Sequence, residues 1–474
     1  MKKIYFLLLP ILFSYSLRAQ YSSQNISLIG HWYNPAQIAE PVYGIKYNSI
    51  WGWVNSKNNV EYAILGSGSG THFIDLSDPS KPKEIDFVKG KRNQCIWREY
   101  KTYKNYLYAI SDDASPNSFQ IIDMSYLPDS VHVVYDGTDI FERAHTLLID
   151  GDHLYVASVK QTVSAGKIYS MAVYSLANPA KPVLLRDLNA DDPAINAVHD
   201  MLVRNDTVYA SCGNDGLFIY LYDKNANTFK TINSVEFYPG QGYNHSSALT
   251  PDGRTLVFCD EVPRDLPVKI VDISDIHNIS IDTIFKSAEG PTPHNPYMKG
   301  KSHVVIAYYQ DGLQIFDISN KKFPVKTGYF DTDTIDGPAN NYNPTGTAYH
   351  GNWGAYVDLP SGYILASDMQ NGLFVLNASL ALGISNHTND ILSPVSVYPN
   401  PATNLVSIQF QLQKATILSF DVLDMTGRLL MRRTEHVPVG KVTEIVDLGA
   451  FEQGMYLIRI SGQEVSSSSK VVKN

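Results

Sequence analysis

One strand-like phrase returns seven times along the chain: an apolar run closed by a short polar residue. The copies are THFIDLS from Thr71, FQIIDMS from Phe119, MAVYSLA from Met171, LFIYLYD from Leu217, VKIVDIS from Val268, LQIFDIS from Leu313 and LFVLNAS from Leu373. The matching positions Asp75, Asp123, Ser175, Leu221, Asp272, Asp317 and Asn377 are 48, 52, 46, 51, 45 and 60 residues apart, the last interval stretched by a loop rich in Asn, Pro and Thr at 331–347. The clearest copy, 293–330, divides into HNPYM, HVVIAYY, LQIFDIS and VKTGYF, with Gln310-Asp311-Gly312 between the second and third runs. An Asp-Gly pair between β-branched or aromatic runs is a strong hairpin signal, because the turn needs positive φ. A four-stranded meander cannot bury both its faces alone, so the copies must stack. A repeat of about 40–50 residues with four strands per copy is the pattern of propeller blades, and seven copies predict a seven-bladed β-propeller.

The ends of the chain complete this reading. The last copy lacks a fourth strand, while ISLIGHWY (Ile26 to Tyr33) is a strand without a sheet. Pairing the two closes the ring and removes open edges that would invite aggregation. Before it, Lys2-Lys3 and IYFLLLPILF form a secretory signal over 1–19. The propeller is expected over 20–382, a polar linker over 383–394, and a small Ig-like β-sandwich over 395–474. No later apolar run approaches the 18 residues of a membrane helix. A net charge of −9 without a basic cluster excludes nucleic acid as the natural partner. Cys95, Cys212 and Cys259 are too few and too scattered for a disulfide framework or a zinc ribbon, and read as small buried hydrophobes.

Two resemblances follow from particular residues. YPNPATN, the strand–MTGR–strand hairpin, GMYLIRI and the basic-apolar end resemble the type A C-terminal sorting domain of type IX secretion substrates. That resemblance implies the type IX machinery as a partner, passage through the outer membrane, removal of the domain, and release or attachment at the cell surface. Third strands of the form VxIVDIS resemble the LVIVD repeat. IWGWVN, IWREYKTY, AHTLLID, VHDMLV, NHSSALTPDGRTLVFCDE and PHNPYMKG are similar to the choice-of-anchor B family of secreted propellers over 28–376. This second resemblance implies fold and location but no reaction.

First strands line a propeller's central channel. Counting back ten residues from Tyr62, Tyr108, Tyr155 and Tyr209 reaches Gly52, Arg98, His145 and His199. With longer turns allowed, His245 and His294 take the same place in their blades, and Trp353 or His350 the place in the last. Four consecutive blades with histidine at one level suit a divalent transition metal as candidate cofactor, with His145, His199, His245 and His294 as its ligands. Tails of second strands bring Asp112, Asp113, Asp260 and Glu261 beside the ring, with Glu99 and Asp200 next to it in sequence, as ligands or as partners that fix the imidazoles. Arg98 suits an anionic ligand. The alternative is a wet axial cavity in which these groups hold blades in register.

No GxSxG, Walker A run or HExxH occurs. The sequence reading is an exported binding protein taking a glycan, small molecule or protein at the channel mouth. Two alternatives stay open: a structural adhesion module, and a metal-dependent hydrolase or lyase with Asp260 or Glu261 as general base.

Overall fold

The computed structural model describes residues 21–113, 116–161, 167–333, 349–383, 395–412, 415–425, 428–462 and 466–474. The expected signal segment and nearly all of the expected linker lie outside the described residues.

Seven antiparallel sheets follow one another along the chain, six of them built from four consecutive strands. Blade one runs Tyr47–Val54, Glu61–Ser67, Gly70–Asp75 and Lys83–Lys89. Blade six holds Pro296–Lys299, His303–Ala307, Leu313–Asp317 and Val325–Phe330, the four strands expected of the clearest copy, and Ser23–Gln24 adds a short fifth strand to its outer edge. Blade seven takes Asn352–Tyr356, Ile364–Asp368 and Gly372–Asn377 from the end of the repeat region and Ser27–Trp32 from its start. Trp32 lies opposite Leu373 and Ser27 opposite Asn377, so the two ends of the repeat region close the ring. The first strand of blade seven packs against that of blade one. The protein is a seven-bladed β-propeller.

Each blade interface carries its own apolar cluster. Tyr62, Ile64 and Phe73 of blade one meet Tyr100 and Leu107 of blade two. Across the closing seam, Tyr47, Ile50 and Leu65 of blade one meet Leu365, Leu373 and Val375 of blade seven. Truncating one such fully buried Leu or Ile to Ala costs about 2–5 kcal/mol.

The residue that ends each third strand shapes the following turn. Asp75, Asp123, Asp272 and Asp317 accept from the amides of Ser77, Ser125, Ser274 and Ser319 at 2.6–2.9 Å. Asn377 and Ser175 do the same for Ser379 and Ala177, at 3.0 and 3.2 Å. These side-chain-to-backbone turns explain why the repeat needs a short polar residue there. In blade four the strand runs two residues past the expected Leu221, and Asp223 takes the role, accepting from Asn225 at 3.0 Å.

Beyond the propeller, Ser396–Tyr398, Leu405–Leu412 and Gly440–Asp447 form one sheet. Leu429–Val437, Thr416–Asp424, Gly454–Gly462 and Ser466–Lys473 form another. Alternate residues Val406, Ile408 and Phe410 pack on Leu418, Phe420, Val422, Ile458 and Ile460, which makes the expected small sandwich. Asp421 is buried in the second sheet. It accepts 2.6–3.1 Å bonds from Arg432 and Arg459, its direct neighbours on the flanking strands. Among the described residues no helix is long and apolar enough to cross a membrane.

Candidate axial binding site

The histidines meet as a file along the inside of the ring. His145 and His199 sit one residue before their first strands, each amide donating to the second strand of its blade: to Ala157 at 3.0 Å and to Ser211 at 2.7 Å. The His294 amide likewise donates to Ala307, at 2.9 Å. His245 and Trp353 occupy bulges, between Asn244 and Ser246 and between Asn352 and Gly354, which re-aim their side chains. From His145 through His199, His245 and His294 to Trp353, successive ring centroids are 4.1, 4.2, 4.4 and 4.5 Å apart, each ring turned 45–52° from the last.

Backbone carbonyls fix the tautomers. His199 Nδ1 lies 3.1 Å from the His245 carbonyl, and His294 Nδ1 bonds the Trp353 carbonyl. A carbonyl only accepts, so these Nδ1 atoms carry the hydrogen and each Nε2 keeps a lone pair. His145 Nδ1 is 2.7 Å from Asp112. His245 Nδ1 is buried without a bond of ordinary geometry, beside the His294 carbonyl, which accepts from Ser246 Oγ at 2.6 Å. Its Nε2 stands 3.7 Å from Glu261, whose other oxygen accepts from Tyr309 at 2.6 Å.

Burial and mutual repulsion hold His199 and His245 well below the usual imidazole range, and burial pushes His294 down to about 3. Burial works against His145 too, yet the Asp112 hydrogen bond and charge outweigh it and the net shift is upward. Burial raises Glu261, Glu99 and Asp200. The file therefore joins neutral imidazoles to one Asp-paired imidazole, in contact with carboxyl groups short of water.

A cavity of about 320 Å³ is lined by the file and continues along the first strands, where Glu99, Lys101, Asp200, Met201, Arg204, Tyr297, Met298 and Tyr356 complete its wall. Trp51 lies at its side, with Lys101 over its ring at 4.3 Å and Tyr356 edge-on at 4.8 Å.

Of the residues expected at one level, the structure brings together His145, His199, His245, His294 and Trp353, with Glu261 and Asp112 beside them. Arg98 is elsewhere. Side chains on a strand alternate: Glu99 and Lys101 line the cavity, while Arg98 turns to donate Nε to the Ser67 carbonyl at 2.8 Å and Nη2 to the Arg92 carbonyl at 3.1 Å. Asp260 is also elsewhere, fully buried inside blade five, where it pairs with Lys269 and accepts from Tyr238 at 2.8 Å. Asp113 is taken up by the amides of Ile96 and Trp97, at 3.0 and 3.2 Å. Gly52 gives way to Ile50. Tyr62 pairs with Trp53, nine residues back, whereas Tyr108, Tyr155 and Tyr209 pair seven back with Lys101, Leu148 and Leu202. Tyr309 and Lys101 were not singled out by the sequence. Tyr309 holds φ 48°, a conformation rare outside glycine that no local motif announces.

Comparison with known proteins assigns the end of the chain. Residues 396–474 match the family described as the secretion system C-terminal sorting domain. The sorting domain is present. The protein is thus a substrate of the type IX machinery, carried to the cell surface or beyond, with this tail removed. No curated protein matches the chain in sequence. Among solved structures, a protein from Lactobacillus plantarum is similar at 11% identity, covering 85% of this chain and 99% of its own, with a TM-score of 0.48. Putative 6-phosphogluconolactonases from Bacteroides uniformis and Bacteroides fragilis are similar at 12% identity, covering 90% and 85% of this chain and 99% and 98% of their own, with TM-scores of 0.45 and 0.47.

Proposed function

We propose that the exported propeller is a binding protein that takes a small polar ligand, such as a sugar or a carboxylate, into its axial cavity beneath the histidine file. The observation that carries this reading is the file itself: four imidazoles and an indole at one level of a repetitive scaffold, bordering a cavity of about 320 Å³. A scaffold that needed only apolar packing would leave no reason for so many desolvated polar groups at one place. The cavity wall offers both a basic and an acidic group, Lys101 and Glu99, beside the Trp51 and Tyr356 faces, a combination suited to a hydroxylated or anionic molecule. The propeller over 20–382 belongs on this reading with LVIVD-repeat proteins of the choice-of-anchor B type, preceded by a cleaved signal over 1–19 and joined by the 383–394 linker to the sorting domain.

Thermal-shift screening of the purified protein against sugars, sugar acids and small carboxylates tests the proposal. A stabilising ligand whose effect disappears in Lys101→Met and His294→Gln supports it. A blank panel, or a shift unchanged in both variants, refutes the axial site. One observation favours a second reading as a hydrolase: the 2.7 Å Asp112–His145 pair has the geometry of a general base held in position. Turnover of ester or lactone substrates that is lost in His145→Gln would support it, and absence of turnover would remove it.

A further inference from the structure

We infer that His199, His245 and Glu261 form a site for one divalent transition-metal ion of the zinc, cobalt or nickel kind. The inference deepens the axial-site reading, on which it rests for location alone.

One donor atom from each of the three residues falls within 4.8 Å of the other two, the one such group among the described residues. His245 Nε2 and the nearer Glu261 oxygen are already 3.7 Å apart. Bonds of about 2.0–2.2 Å in a tetrahedral arrangement place donors about 3.4 Å apart. Small rotations of the imidazole and carboxylate close the remaining gap.

The surroundings are those a ligand set needs. His199 is pinned through Nδ1 to the His245 carbonyl, which aims its lone pair through Nε2. Glu261 is held through its second oxygen by Tyr309 at 2.6 Å, and its amide donates to the Tyr243 carbonyl at 3.0 Å. Partners that orient the ligands in this way are part of working metal sites. Two imidazoles and one carboxylate favour zinc-like ions over magnesium or calcium, which prefer all-oxygen shells. Three protein donors leave room at the ion for water or for a ligand from the cavity. This set replaces the four-histidine ligation expected from the sequence. His145 and His294 are not part of the group whose donor atoms all lie within 4.8 Å of one another.

The test is a metal titration of the full-length protein, stripped with EDTA and dialysed. Zn²⁺ is followed by calorimetry and Co²⁺ by its visible absorption, with Mg²⁺ as the comparison ion. We expect one Zn²⁺ per chain, cobalt bands typical of four- or five-fold coordination, and no Mg²⁺ uptake. His199→Gln and Glu261→Gln should each weaken Zn²⁺ by more than about 100-fold, and Tyr309→Phe, a positioning change, by about 10–100-fold. His436→Gln, on the exposed face of the sorting domain, should leave binding unchanged. No 1:1 binding to the wild-type protein, or wild-type affinity in folded H199Q and E261Q, overturns the inference. Should those two variants fail to fold, the cobalt spectrum and Tyr309→Phe decide it. Zinc binding with a blank ligand panel removes the proposed function and keeps the ion site. A ligand held by protein that takes up no metal does the opposite.

Discussion

Replacing Lys269 with methionine should cost the propeller about 3–5 kcal/mol, the loss expected when one member of a buried ion pair is removed. Lys269 and Asp260 are both fully buried in blade five. The ammonium also donates to the Gly240 carbonyl at 2.6 Å and lies 5.5 Å from the Tyr238 ring centroid. Burial pulls the Lys269 pKa down, and the Asp260 carboxylate is the main group that opposes it. In the Lys269→Met variant, Asp260 keeps the Tyr238 hydrogen bond at 2.8 Å and little else. An unfolding entropy of about 2.1 cal/mol/K per residue over roughly 350 residues gives about 0.7 kcal/mol/K, so the loss converts to a Tm lower by about 4–7 °C. Scanning calorimetry of wild type, Lys269→Met, Asp260→Asn and the double variant measures it. The double variant should recover most of the loss, because two neutral groups of similar shape replace the pair and no charge is stranded. A Lys269→Met protein with a Tm within about 1 °C of wild type, or a double variant worse than both singles, would refute the assignment of Asp260 to structure.

Three further outcomes follow from other parts of the fold. Gly30→Ala would set a Cβ 2.0 Å from the Pro79 carbonyl and 2.9 Å from Pro82 Cδ, across the seam between blades seven and one; overpacking should cost about 1–3 kcal/mol, read as a lower Tm. Deleting 21–32 strips the outer strand from blade seven, and the exposed edge of Gly372–Asn377 should drive concentration-dependent association in size-exclusion chromatography, whereas a monomer of unchanged Tm would contradict the closure argument. In the sorting domain, burial works against ionised Asp421, but its bonds and charge pairing with Arg432 and Arg459 hold its pKa below the usual carboxylate range. The stability it supplies is thus present above the unfolded value of about 3.9 and lost as pH falls through the lower folded one. Asp421→Asn should cost about 3 kcal/mol at pH 7 and blunt acid unfolding below about pH 4, as followed by circular dichroism.

Much of this architecture was legible in the amino-acid order, because propeller blades repeat a local pattern. The third strands, the hairpin turns and the orphan strand at Ile26 each carry a period or a missing partner that needs no three-dimensional information. The file was legible for the same reason: one offset between first and second strands placed His145 and His199 at one level, and longer turns brought His245, His294 and Trp353 to it. What the offset cannot give is the side to which a side chain turns. Arg98 shares the register of His145 and yet serves the Ser67 carbonyl of blade one, and Asp260, adjacent to Glu261, faces the interior of its own blade. Gly52 failed because the pairing in blade one runs nine residues back. Tyr309 depends on a left-handed backbone set by the bridge to Asn352 in the next blade, a contact between segments that no repeat spacing encodes.

The seam at Trp32 and Leu373 also sets a timetable. Ser27–Trp32 is made before the strands of its own blade and is paired last, with about 340 residues still to be synthesised before its partner exists. At about 5–20 residues per second that is a wait of roughly 17–70 seconds. Six blades can zip up as they emerge, each from neighbours in sequence, while the ring itself stays open. A chain built in this way has no closed ring, and so no finished tertiary structure, during that interval. Only when the last blade arrives does the leading strand find its place, so the ring cannot close until the whole repeat region has been made.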